Sequence, residues 1–302
     1  MLVGHESSVF SVAFAAGGKR LVSGSDDKTI QVWNVSTNRV QKIIELHLDA
    51  VRSVAVSEGD NTFASASWDE TVRLWDLAVH TGRHWRPTKT FVPRAKIMSV
   101  AFSADGRYLA SGAQDNLVRV WDVRAGDLKL ELPGHDGVVA SVSFSADGRY
   151  IASGSHNMTI RIWDSDGGLV ETLSGHAGCV HSVAFSPCSS HLASGSADKT
   201  VALWRTMPGM PISRLRRLSG HTDFVWSVAF SREGDLVASG SADKTIAVWQ
   251  VATGHRLHIL RGHNADIFSV AFSPSANQIA SASRDTTVQI WDVEDDSEHN
   301  SA

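Results

Sequence analysis

The chain has 302 residues, 42% of them hydrophobic, with 28 Lys+Arg against 32 Asp+Glu and two cysteines. Four of those acids, Glu294, Asp295, Asp296 and Glu298, fall in the last nine residues, which leaves the preceding chain balanced at 28 against 28. No global charge calls for a nucleic-acid or membrane partner, and no run approaches the ~18 apolar residues of a membrane-spanning helix. In chain order the first apolar run is Val9 to Phe14. It recurs at the same place in every later unit, so it reads as a strand rather than as the apolar core of a signal peptide.

From there the chain repeats. Seven tryptophans each follow, by the same 28 residues, a position that is histidine in six cases: His5/Trp33, His47/Trp75, Pro93/Trp121, His135/Trp163, His176/Trp204, His221/Trp249 and His263/Trp291. The connectors between pairs vary, at 14, 18, 14, 13, 17 and 14 residues. A core of fixed length with variable connectors predicts a stack of like units. In the fourth unit an alternating run from Val139 to Phe144 leads to a turn at Asp147-Gly148 and a second run from Tyr150 to Ser155. A tight turn at His156-Asn157, a third run from Thr159 to Trp163 and a fourth from Leu169 to Leu173 complete it. Period-2 runs punctuated by such turns predict short antiparallel strands joined by hairpins. The expectation is four strands in each of seven units, within one domain over 1–293, and almost no helix.

The last unit is the exception. Outer runs end in Leu or Ile three residues before the next His position, at Ile44, Leu132, Leu173, Leu218 and Leu260. Leu2 holds that place before His5, with only Met1 ahead of it. Residues 294–302 are acidic and lack alternation, which predicts a disordered tail. The third strand of unit seven, Thr287 to Val293, is therefore expected to present an unpaired edge. Upstream residues of a longer chain, or a strand from a partner, would complete it.

The Gly-His dipeptides at 4–5, 134–135, 175–176, 220–221 and 262–263 and the Trp-Asp dipeptides at 75–76, 121–122, 163–164 and 291–292 resemble WD-repeats. Cores such as Ser194-Gly195-Ser196-Ala197-Asp198-Lys199-Thr200 fit the same pattern. The resemblance spans nearly the whole chain. It implies an all-β, seven-bladed β-propeller of four-stranded antiparallel blades around a central channel. Such a fold hosts many roles, so it implies a class of function only.

Five of the seven units also hold a Ser, a His and an Asp. A catalytic reading would make them nucleophile, base and orienter. The family implies instead a buried hydrogen-bond chain from Trp and Ser through His to the turn Asp. Repetition favours the second, because an active site needs no five complete copies. The complete sets are His5/Ser23/Asp27/Trp33, His47/Ser65/Asp69/Trp75, His176/Ser194/Asp198/Trp204, His221/Ser239/Asp243/Trp249 and His263/Ser281/Asp285/Trp291. Pro93 and Asn157 break the pattern, so blades three and four are expected to be the least well braced.

In the family, two positions per blade emerge on the Gly-His face. The residue before the turn Asp is Asp26, Trp68, Gln114, His156, Ala197, Ala242 or Arg284, and the residue five after the His position is Phe10, Arg52, Met98, Ala140, His181, Trp226 or Phe268. These vary where framework positions do not, as a binding face on a repeated scaffold should. Phe224, Trp226, Phe268, Phe10 and Trp68, flanked by Arg52 and Arg284, predict an aromatic crescent suited to a protein or peptide partner. Trp121-Asp122-Val123-Arg124 with Asp115 resembles the box by which some WD-repeat proteins dock onto the adaptor of cullin-type ubiquitin ligases.

Two basic connectors, His80 to Lys96 and Arg205 to Arg217, belong to blades nearly opposite one another and read as solvated loops. His80 and His84 lack the further ligands of a zinc site. No cofactor, metal or catalytic residue is expected. Cys179 and Cys188 flank one strand, about 20 Å apart and too far for a disulfide, so free thiols point to an intracellular protein. The function expected is a scaffold that binds partner proteins. The alternative is the sensor propeller of a larger signalling protein, because the blades look like those attached to NACHT-type NTPases, or the substrate receptor of a cullin-type ligase.

Overall fold

A computed structural model describes residues 1–57, 59, 62–78, 85–207 and 209–293. Among them, 28 strands form seven four-stranded antiparallel sheets, and there is no helix. Blade four shows how the pattern becomes structure. Its strands are Val139–Phe144, Tyr150–Ser155, Ile160–Asp164 and Leu169–Leu173, within a residue of the runs read from the sequence. The outer strand is exposed except for Leu173, whereas five of the six residues of the second strand are buried.

That second strand is sandwiched between blades, so both of its faces need small residues. A Cβ on Gly154 would meet Val180 Cγ1 of the next blade at 2.8 Å, and on Gly24 it would meet Val51 Cγ1 at 2.6 Å. Ala66 and Ala282 hold the same place in blades two and seven, fully buried. Close approach of this kind puts the core between blades rather than within them. Val22, Ile30 and Val32 of blade one, for example, pack with Val51, Val54 and Trp75 of blade two.

Adjacent inner strands are joined at all seven junctions by one repeated bond. The backbone N–H groups of Val54, Val100, Val142, Val183, Val228 and Val270 donate to Ser11, Ser53, Ser99, Ser141, Ser182 and Ser227 at 3.0–3.2 Å. Val12 donates to Ser269 at 3.2 Å and closes the ring. Each serine stands six residues after a His position, so the spacing that marks the braces also marks this ring.

Blade seven all but lacks its outer strand, as expected: only Leu2 and Val3 pair, with Val288 and Thr287. The unpaired edge is thus confined to Gln289–Asp292 among the described residues. Trp291 is half-buried there, whereas its six equivalents are buried. The acidic tail, 294–302, lies outside the described residues.

Candidate partner-binding face

The five complete Ser-His-Asp sets are internal braces. In each, the Trp indole N–H donates to Ser Oγ at 2.8–2.9 Å, Ser Oγ meets His Nε2 at 2.7–2.8 Å, and His Nδ1 meets Asp Oδ2 at 2.7–2.9 Å. A neutral imidazole satisfies this geometry, donating from Nδ1 and accepting the seryl proton at Nε2. Burial is the main cause that holds His47, His176 and His263 below the ordinary histidine pKa, outweighing their aspartates. For the carboxylates burial works the other way, yet the His, Thr and backbone bonds prevail and keep Asp198, for one, down at about 2. The same aspartates cap tight turns. Asp27 Oδ1 accepts from Thr29 N and Oγ1 at 2.9 and 2.7 Å, across Lys28, whose φ of 70° is left-handed. The serine hydroxyls are fully buried or nearly so, and the sets therefore work on the loops that carry the face.

Blades three and four depart from this scheme in different ways. In blade three, where Pro93 replaces His, Arg119 takes over the acid and donates to Asp115 Oδ2 at 2.7 Å and Glu131 Oε2 at 3.0 Å. Arg119 thus gives the blade-three acid a partner where the histidine is lacking. In blade four Asn157 Oδ1 caps Thr159, and His135 Nδ1 is left buried without a hydrogen-bond partner. Burial, with the Arg161 charge adding, takes the His135 pKa down to about 4.

A backbone irregularity builds the face. In every inner strand the ladder skips one residue: Val9 pairs with Ser25 and Ser11 with Gly24, which leaves Phe10 as the extra residue of a β-bulge. The skipped residues in the other blades are Arg52, Met98, Ala140, His181, Trp226 and Phe268. A bulge re-aims its side chain out of the pleat, and here it turns seven side chains toward the channel mouth. The residue five after the His position varies because the ladder makes no demand on it.

These side chains meet. His181 lies 4.2 Å from Trp226, Trp226 5.6 Å from Phe268, and Phe268 5.2 Å from Phe10, between ring centroids. The Arg52 guanidinium sits 3.8 Å over the Phe10 ring and 5.1 Å from that of Trp68. Trp68 donates to Met98 Sδ at 3.4 Å. The crescent thus runs unbroken through blades five, six, seven, one, two and three, while Ala140 offers blade four only a methyl. His156 joins it 5.6 Å from His181. Phe224 stands 6.0 Å from Trp226 and is 40% exposed, and Arg284 is exposed on the rim. The rings are half-buried against one another. Lys96, 5.2 Å from Trp68 and 3.9 Å from Asp49, also belongs to the rim. Its position, three after Pro93, varies in the other units as well, and that variation was the available signal.

Three polar atoms in this cluster are buried without a hydrogen-bond partner: Arg52 Nε, His181 Nε2 and Trp226 Nε1. Burial lowers Arg52 to a pKa of about 10, against the pull of Asp26. Burial also takes His181 to about 4, with His156 and Arg52 adding, and lowers His156, with Arg52 adding. Arg52 remains the charged group of the mouth at neutral pH.

The other expected positions lie elsewhere. Asp115, paired to Arg119, is at one end of the strand Val118–Asp122, and Asp122 and Arg124 are at the other, with Trp121 buried between them. In the second basic connector Arg214 and Arg216 donate to the carbonyls of Gly175 and Ala252 at 3.2 and 2.6 Å, and Arg217 lies 3.6 Å from Asp198. His80, Arg83 and His84 fall outside the described residues, among which no cluster of three metal-ligating side chains occurs. Cys179 and Cys188 are free thiols. Among the described residues no helix is long and apolar enough to cross a membrane.

A family profile described as "WD domain, G-beta repeat" matches residues 1–34, 38–76, 85–122, 126–164, 167–205, 212–250 and 254–292. The vegetative incompatibility protein HET-E-1 of Podospora anserina is 61% identical over 36 residues, 12% of this chain and 3% of that protein. Ribosome biogenesis protein BOP1 homologs of Monosiga brevicollis and Drosophila melanogaster are 49% identical over 41 residues and 48% over 42, each 14% of this chain and 5% of theirs. The matches thus span about one repeat and a small fraction of each relative.

Proposed function

The chain belongs to the WD-repeat family, and from that premise we propose that it is a non-enzymatic, intracellular scaffold binding partner proteins on the face of its Gly-His loops. The observation that carries this is the continuous surface of bulge residues, His181, Trp226, Phe268, Phe10 and Arg52, at the channel mouth. Aromatic and arginine side chains gathered at the centre of a rigid ring have the composition of an interaction hot spot. Replacing Trp226 and Phe268 together by Ala is expected to abolish recovery of partners in affinity purification while the circular dichroism stays unchanged. Partners recovered undiminished from a folded double variant would sink the proposal.

The short similarity to HET-E-1 supports a second reading, in which the propeller is the recognition end of a larger signalling protein. The binding face would be the same, and only its covalent context would differ.

A further inference from the structure

The aromatic crescent accounts for the apolar side of the mouth but leaves its polar atoms unexplained. A buried polar atom without a partner is costly, and three of them gather here on side chains from blades two, five and six. Arg52 is the most pointed. It has a cation–π contact with Phe10, yet among the described residues no carboxylate comes within ion-pairing distance of it. The nearest influence of that kind, Asp26, is exposed and accepts from Ser7 Oγ at 2.9 Å. An arginine fork and an indole N–H can only donate, and the neutral imidazole, in its Nε2–H tautomer, adds a third donor at the buried nitrogen.

We infer that the channel mouth receives a carboxylate side chain from the partner, with Arg52 as its cation and Trp226 Nε1–H and His181 Nε2 as further donors. The inference rests on the partner-binding reading above and gives that partner its chemistry: an acidic residue at the tip of the docked segment, with apolar neighbours against Phe224 and Phe268. Charge decides between a carboxylate and a phosphate. The centre of the mouth offers one full cation, since burial holds His156 and His181 below the ordinary histidine pKa, and Lys96, by Asp49, and the exposed Arg284 lie out at the rim. One guanidinium balances a monoanion, whereas a phosphate group carries nearly two charges at neutral pH. The low polarity around the buried Arg52 Nε strengthens the charge-assisted bonds the guanidinium would make.

The test titrates the intact propeller with propionate, the glutamate side chain in isolation, and with its neutral isostere propionamide. The Trp226 indole and Arg52 Nε–H resonances are followed by NMR. Propionate is expected to shift both signals saturably, and propionamide to bind at least about tenfold more weakly. Arg52→Met should weaken propionate by about tenfold or more. Trp226→Phe, which keeps the ring and removes only the N–H, should weaken it about threefold to tenfold. The second variant keeps the test decisive if the first does not fold. Equal responses to the two probes, no saturable response, or tighter binding of inorganic phosphate than of propionate would overturn the inference. Partner recovery from the Trp226/Phe268 double variant is scored separately. Partners lost there while propionate fails to bind would leave the docking face standing and remove its acidic specificity. Propionate bound while partners are retained would support the anion site and remove the docking reading.

Discussion

At the scale of single residues, His135 and Asn157 are an internal control for the other braces. Five blades give the His Nδ1 proton to an aspartate, and blade four offers an amide already engaged with Thr159. Asn157→Asp is expected to supply the missing acceptor and raise stability by about 1 kcal/mol, and Asp243→Ala to cost about 1–3 kcal/mol by stranding His221 and Thr245. Denaturant titration of the two variants beside the parent checks both signs. A loss in Asn157→Asp would show that the blade-four turn rejects a carboxylate. The brace was legible in the sequence because five complete copies at fixed spacing confirm one another. Its replacement in blade three was not: Pro93 announced the loss, but Arg119 sits among ordinary strand residues. Only the fold brings it to Asp115 and Glu131.

At the scale of strands, spacing reveals what repeats and hides what the ladder does with it. The strand count and most boundaries followed from period-2 runs and Asp-Gly turns. The bulges did not, since skipping Phe10 or Trp226 leaves the apolar alternation of Val9–Ala15 and Val225–Phe230 readable as plain strands. The variable position was visible, its cause was not. The shortage of an outer strand in blade seven was legible from Leu2 with only Met1 ahead of it, but not that Leu2 and Val3 would still pair with Val288 and Thr287. Blade six pairs five residues of its third strand with its outer strand, and blade seven only two. The gap flanks Trp291, as its partial exposure shows. Grafting the sequence of His255–His258 ahead of Met1 would continue the blade-seven strand in the blade-six register. The graft is expected to bury Trp291, blue-shift its emission and raise the melting temperature. An unchanged spectrum and melting temperature would mean that this edge is already satisfied.

At the scale of the whole ring, the junction between blades seven and one has the shortest outer strand. The chain passes from each outer strand to the next inner strand, so a junction is only as firm as the pairing of that outer strand. Between blades seven and one the outer strand adds only two ladder pairs to the Val12–Ser269 bond and to a core of Leu2, Val9, Val12, Leu21, Trp33, Ala280, Ala282 and Val288. Repeat arrays open where the interface between neighbours is smallest. The ring is therefore expected to breathe at this seam, with amides of Thr287–Asp292 and Val9–Ala15 exchanging at lower free energy than those of Val180–Phe185 at the far side. Leu2 is 1% exposed, and Leu2→Ala should destabilise the protein by about 2–5 kcal/mol. The variant should also widen the difference in exchange, because it loosens the seam and leaves the far junctions untouched. Native-state hydrogen exchange on parent and variant decides the matter. Uniform protection around all seven blades in both would mean that the short strand closes the ring as firmly as a full one.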